Sequence, residues 1–151
     1  MDLKQLKEDV IAYAHTIGID SIGFTTADPF DELKQKLVDY HAKGYASGFE
    51  EDDIQLRTEP KLSLPTARSI IAIAVGYPNK LKGAPRSKRG ERRGMFARAS
   101  WGQDYHTIMR KRLDKLAEYI QSRVPDVEMK SMVDTGVLSD RAVAERAGLG
   151  Y

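Results

Sequence analysis

Asp134 is the residue of this sequence with the most evident chemical potential. It stands in SMVDTGVLSDR, Ser131 to Arg141, between an alternating apolar run and the start of a new helix. A carboxylate at the carboxyl end of a strand, beside a Thr-Gly turn, lies where open α/β sheets often hold ligands. As a carboxylic acid it could donate a proton, if burial or a like charge lifts its pKa well above the ordinary value of about 3.9. The same residue also suits a plain role, because an Asp side chain commonly closes a turn onto its own backbone. Ser139-Asp140-Arg141 reads in two ways as well. These residues either face a ligand or serve the helix: Ser139 as N-cap, Asp140 favoured by the helix dipole, and Arg141 pairing with Glu145 for about 0.2 to 0.5 kcal/mol.

A second group is RASWGQDYH, Arg98 to His106. It gathers Trp101, Tyr105 and His106 around Gly102 at a helix start, where backbone N–H groups and aromatic faces could meet a ligand with polar and planar surfaces. A core tryptophan and a structural histidine account for the same residues. Between these groups and the chain's middle lies a basic strip: Lys82, Arg86, Lys88, Arg89, Arg92, Arg93 and Arg98 against Glu91 alone. Such a strip is either a solvated charge run or a phosphate-binding surface. The sequence has no G-x-G-x-x-G, no G-x-x-x-x-G-K-[ST] and no H-E-x-x-H, so the usual nucleotide and zinc-protease mechanisms lack support.

The elements that must position these residues follow from periodicity. Leu3, Leu6, Val10, Ile11, Tyr13, Ala14 and Ile17 recur at helical spacing, with Gly18 as C-cap, which predicts a helix over Asp2–Thr16. Ile19–Thr25 reads as a short buried strand and Asp31–Lys43 as a second helix. From Gly44 to Ser63 the periodicity fails, which predicts a long loop. Ser69–Gly76, SIIAIAVG, is apolar on both faces, the pattern of a central strand covered on both sides. The basic strip after it lacks a core-facing pattern and should be exposed and mobile. Tyr105–Ser122 is a strongly amphipathic helix with Ile108, Met109, Leu113, Leu116, Ala117 and Ile120 in one stripe. Val127–Val133 alternates as a strand, and a helix runs from Ser139 through Arg146. The order implies an α+β, α/β-layered fold with a mixed sheet flanked by helices.

With 151 residues, 41% of them apolar and 30% charged, the chain has the size and composition of one globular domain. It contains no cysteine, so its own residues supply neither a disulfide nor a thiolate-held cluster. No segment approaches eighteen apolar residues, and Met1–Val10 lacks the apolar core of a signal peptide, which points to the cytoplasm. The net charge is only +2, so the local excess in the basic strip matters more than the total.

Three separated segments in order, RTEPKLSLPTARSIIAIAVGYPN, RASWGQDYH and SMVDTGVLSDRAVAERAGLGY, closely resemble the epoxyqueuosine reductase family, and the resemblance extends over essentially the whole chain. It implies a nitroreductase-like, cobalamin-binding catalytic domain over residues 1–151, ending before a ferredoxin-like domain whose two [4Fe–4S] clusters supply electrons. It further implies reduction of epoxyqueuosine to queuosine at the tRNA wobble position, with tRNA and an external electron donor as partners, no membrane, and a monomer. By resemblance Asp134 is the proton donor to the departing epoxide oxygen. Arg57 in R-T-x-P and Arg141 in L-x-D/E-R resemble contacts to cobalamin or substrate, which suits their guanidinium forks. Ala97 and Arg98, with Tyr105 and His106 of D-Y-H, resemble the wall of the cobalamin and nucleotide pocket. Arg89, Arg92 and Arg93 are expected to contact tRNA, no residue is expected to bind a metal ion directly, and the 151 residues alone are expected to be inactive. Two other classes stay open on the residues themselves: a non-catalytic tRNA- or RNA-binding module, in which the basic strip is the function, and a nitroreductase-like flavin enzyme.

Overall fold

The computed structural model describes residues 2–77, 82–83, 88–91, 94, 96–134 and 136–150. Helix α1, Leu3–Thr16, starts where the Asp2 side chain accepts the Lys4 N–H at 2.9 Å. It stops at Gly18, whose φ of 82° lies in the left-handed region that glycine enters without cost. Strands β1, Ser21–Thr26, and β2, Ser69–Ala74, pair antiparallel with Gly23 opposite Ala72. Between them lie α2, Asp31–Ala42, and two short helices, α3, Ile54–Thr58, and α4, Pro60–Ser63. A 3₁₀ turn at Arg98–Ser100 precedes α5, Tyr105–Arg123, and α6 is Asp140–Arg146.

The alternation in the two strands sets the layers. Ile22, Phe24, Ile71 and Ile73 face one way, onto a core of Val10 and Ala14 from α1, Ile19, and Leu116 and Ile120 from α5. Tyr13 and Tyr119 stack across the same α1–α5 seam, with ring centroids 4.1 Å apart. Ile70 and Ala72 face the other way, where Phe30 and Val143 of α6 form a second cluster. The two-sided apolar pattern of SIIAIAVG therefore has its expected physical basis, a strand with helices on both faces.

Four expectations are corrected. The sheet is not mixed and SIIAIAVG is not a central strand: among the described residues the sheet has two strands, β1 and β2, paired antiparallel, although β2 is covered on both faces as expected. Residues Val127–Val133 form no strand: Val127 packs against the α1–α5 core and Met129 is exposed. An extended chain alternates its side chains whether or not a neighbour pairs with it, so period two alone did not imply a ladder. The stretch 44–63 is not one loop. Asp53 caps α3 through the N–H groups of Gln55 and Leu56, and Pro60 begins α4, where a missing N–H costs nothing. Helices of five and four residues are too short to show a stripe of period 3.6. Thr58, fully buried, donates its hydroxyl to Ile54 O, and its own carbonyl accepts the Phe30 N–H at 2.8 Å, which ties α3 to α2.

Arg146, in the last turn of α6, fastens that helix to the β1–α2 connection. Its guanidinium donates to Thr25 Oγ1, Thr26 O, Asp28 O and Pro29 O and lies 3.4 Å from the Phe30 ring centroid. This attachment sets where α6 sits, and with it the loop that carries Asp134.

Candidate active site at the start of helix α5

The amino end of α5 and the loop before α6 meet at one carboxylate. Asp104 is the N-cap of α5; its Oδ1 accepts the His106 backbone N–H at 2.9 Å and also contacts His106 Nδ1 at 2.8 Å. One oxygen thus caps the helix and fixes the imidazole. The opposite nitrogen, Nε2, lies 3.3 Å from Asp134 Oδ2, and the Tyr105 hydroxyl donates to the same Oδ2 at 2.7 Å. The Tyr105 and His106 rings stack with centroids 4.1 Å apart.

Asp134 has φ 54°, the one non-glycine residue with positive φ among those described. Asp tolerates the left-handed region better than most residues because its short polar side chain bonds locally, though it still costs some strain. Residue 134 therefore turns the chain sharply, and Gly136 folds back so closely that a Cβ there would lie 2.7 Å from Met132 Cβ. Beside this turn a cleft of about 270 Å³ opens between Arg110 and Asp114 of α5 and Lys130, Met132 and Val137.

The electrostatics follow from the contacts. The bond to Asp104, then the nearby Asp134, raises the His106 pKa, and the bond to His106 lowers that of Asp104. Tyr105 is raised by its bond to Asp134, which holds the hydroxyl protonated as a donor. Asp140 is raised by burial and then by the charge of Asp134. The side chain of Asp134 is 59% exposed and that of His106 28%, so the carboxylate faces solvent while the Tyr105 hydroxyl and the His106 ring meet its Oδ2. The burial expected of a proton-donating Asp134 is therefore not provided by the described residues.

The structure brings together Asp134, Tyr105 and His106 of the residues singled out by sequence. It does not join the others to them by hydrogen bonds: Arg57 is half-buried in α3, Ala97 and Arg98 are exposed at the 3₁₀ turn, and Arg141 is exposed in the first turn of α6. The expected Arg141–Glu145 pair is not formed, and Ser139, although the N-cap, makes no side-chain cap bond. Trp101 is half-buried and donates Nε1–H to Phe96 O at 3.2 Å. Arg89 is exposed in a turn closed by Glu91 N–H to Lys88 O, while Arg92 and Arg93 lie outside the described residues. Asp140, from the Ser139-Asp140-Arg141 group, lies near Asp134, whereas Asp104 is a site residue that the sequence reading does not single out. For Asp104 the signal was present, an Asp two residues before a His at a helix start. Among the described residues no group of three or more His, Cys, Asp and Glu has the arrangement of a metal site, and no helix is long and apolar enough to cross a membrane.

Residues 57–135 match the family described as epoxyqueuosine reductase QueG, DUF1730. Over 151 residues the chain is 85% identical to the epoxyqueuosine reductase of Staphylococcus aureus, an alignment that covers 100% of this chain and 40% of that protein. Two solved structures superpose closely, each over 99% of this chain and 40% of theirs. One, at TM-score 0.91 and 59% identity, is an epoxyqueuosine reductase with an epoxyqueuosine-modified tRNA-Tyr stem loop. The other, at TM-score 0.90 and 57% identity, is the Bacillus subtilis enzyme with its Asp134 catalytic loop swung out of the active site. The chain spans about two fifths of the length of these relatives. With more than half of its residues matched to the family and its whole length aligned to these relatives, the chain belongs to the epoxyqueuosine reductase family.

Proposed function

We propose that these residues form the cobalamin-binding catalytic domain, 1–151, of an epoxyqueuosine reductase, which reduces epoxyqueuosine to queuosine at the tRNA wobble position. The observation that carries the reading is Asp134: a solvent-facing carboxylate in a left-handed turn, held at Oδ2 by Tyr105 and His106. The Bacillus subtilis relative, described by its Asp134 catalytic loop, supports the same role here.

Turning an epoxide into an alkene and water takes two electrons and two protons. Cobalamin, when bound, supplies a low-valent metal centre as the electron source. The residues present fit such a group. Phe96, 82% exposed, with Ala97, Arg98 and the stacked Tyr105 and His106, offers apolar faces and donors to a flat ring rimmed with amides. Arg57, Ala97, Arg98, Tyr105, His106, Asp134 and Arg141 are the residues proposed to hold it, in a nitroreductase-like layered fold. Asp134 donates a proton to the epoxide oxygen, and Tyr105 and His106 orient its carboxyl. Two [4Fe–4S] clusters, held outside these cysteine-free residues, would pass electrons from an external donor. Arg89, Arg92 and Arg93 would contact tRNA phosphates, a role consistent with the tRNA stem loop bound by a relative. The protein is proposed to act as a cytoplasmic monomer.

The test is Asp134→Asn in the full-length enzyme. It is expected to retain cobalamin and to lose turnover by about 100-fold or more, since the amide keeps the shape and removes the proton. Near-normal turnover would overturn the assignment.

A further inference from the structure

We propose that His106, oriented by Asp104, is the proton source that recharges Asp134 after each donation. Asp104 is then a positioning residue, acting through His106, and the inference rests on the reading of Asp134 as the donor.

The geometry is that of an imidazole held between two carboxylates. Asp104 is fixed as helix cap by the His106 N–H, and from there it grips Nδ1 at 2.8 Å. That bond leaves Nε2 directed at Asp134 Oδ2, 3.3 Å away. The stack on Tyr105 hinders a ring flip that would exchange the two nitrogens. This is the arrangement by which a buried or capped carboxylate sets the tautomer of a proton-transferring histidine. A separation of 3.3 Å is long for a strong bond, and such contacts tighten when a catalytic complex assembles. The charged and titratable groups around the ring are Asp104, Asp134 and the Tyr105 hydroxyl, with Arg110 facing Asp104 and Asp140 facing Asp134. Two carboxylates against the ring favour the imidazolium, and the ring's 28% exposure gives water access to it.

The step balances without electrons. Once Asp134 has given up its proton, the His106 Nε2–H bond breaks and an Asp134 Oδ2–H bond forms. The ring is left neutral with its Nδ1–H on Asp104, and water returns a proton to Nε2. A cap-only role for Asp104 and His106 would stabilise α5 and have no effect on proton delivery.

The experiment measures turnover of the full-length holoenzyme from about pH 6 to about pH 9 for wild type, His106→Gln, Asp104→Asn and Asp134→Asn. Cobalamin content is checked for each, and the His106 ring is titrated by NMR, assigned by the signal absent from His106→Gln. The expected result is an alkaline limb in the wild type that follows the NMR midpoint of His106. Asp104→Asn moves limb and midpoint together to lower pH; His106→Gln abolishes the limb, slows turnover about 10-fold to 100-fold, and is partly rescued by added imidazole. An unchanged profile and rate in His106→Gln, with Asp134→Asn inactive, overturns this inference and leaves the donor reading standing. So does an NMR midpoint that moves in Asp104→Asn while the kinetic limb stays. Full turnover in Asp134→Asn overturns the donor reading and this inference with it.

Discussion

Gly23 of β1 and Ala147 at the end of α6 touch backbone to backbone: a Cβ on residue 23 would lie 2.3 Å from the Ala147 carbonyl oxygen. That oxygen belongs to backbone and has no flexible end to move aside. Gly23→Ala is therefore expected to push α6 off the sheet and to lower stability by about 1 to 3 kcal/mol, as overpacking in well-filled interiors does. Denaturant unfolding of the two proteins checks it; equal midpoints would show that α6 shifts at little cost.

Arg146 makes four hydrogen bonds through one guanidinium while covering the Phe30 ring. Arg146→Met keeps much of the apolar stem but loses bonds to carbonyls that lie at the surface and can turn to water, so destabilisation by about 1 kcal/mol is expected. Arg146→Lys should recover only a little, because an ammonium lacks the planar fork that reaches these oxygens together. Thermal melts of both variants decide whether shape or charge matters.

The left-handed backbone at residue 134 separates conformation from chemistry. Asn enters this region about as readily as Asp, whereas a β-branched residue does so at a cost of about 1 to 2 kcal/mol. Asp134→Asn should melt close to wild type and Asp134→Val clearly below it, although both lack the acid. Equal melting temperatures would mean that the turn relaxes without strain.

Stability should respond to pH through the Asp104–His106 pair. His106 is raised in the folded state, so its contribution is complete below the ordinary value of 6.5 and is lost as pH rises through the higher folded value. Asp104 is lowered, so its contribution is present above the ordinary 3.8 and is lost as pH falls through the lower folded value. The melting temperature of wild type minus that of His106→Gln should therefore narrow on the alkaline side. A difference independent of pH would show that the pair adds no proton-linked stability.

Neutralising Arg89, Arg92 and Arg93 in the full-length protein should weaken tRNA binding and flatten its dependence on salt. The slope of log affinity against log salt should fall by about one for each phosphate that is no longer neutralised. Unchanged slope and affinity would mean that this strip is solvated charge.

The longer elements were legible because their signals are local and repeat. Helix α1 follows from seven apolar residues at helical spacing, α5 from the Ile108–Ile120 stripe, and β2 from SIIAIAVG, each within a residue or two of its observed bounds. Helices α3 and α4 were not legible, since a single turn has no period, and their caps at Asp53 and Pro60 were the only local sign. The alternation of Val127–Val133 misled because it records two faces and says nothing of a paired neighbour.

The sequence by itself determined which groups the site could use: an Asp in a turn at 134, a Tyr-His pair at a helix start, and no thiol anywhere. It also determined the helix start that lets Asp104 cap and grip His106, an interaction of residues two apart. Only the tertiary structure decided that Tyr105 and His106 converge on Asp134, 29 and 28 residues away. That meeting depends on α5 packing against α1 and on Arg146 anchoring α6, which together set where the loop between them turns. Contacts of this range arise from the sum of many packing choices, and no local pattern in the chain encodes them.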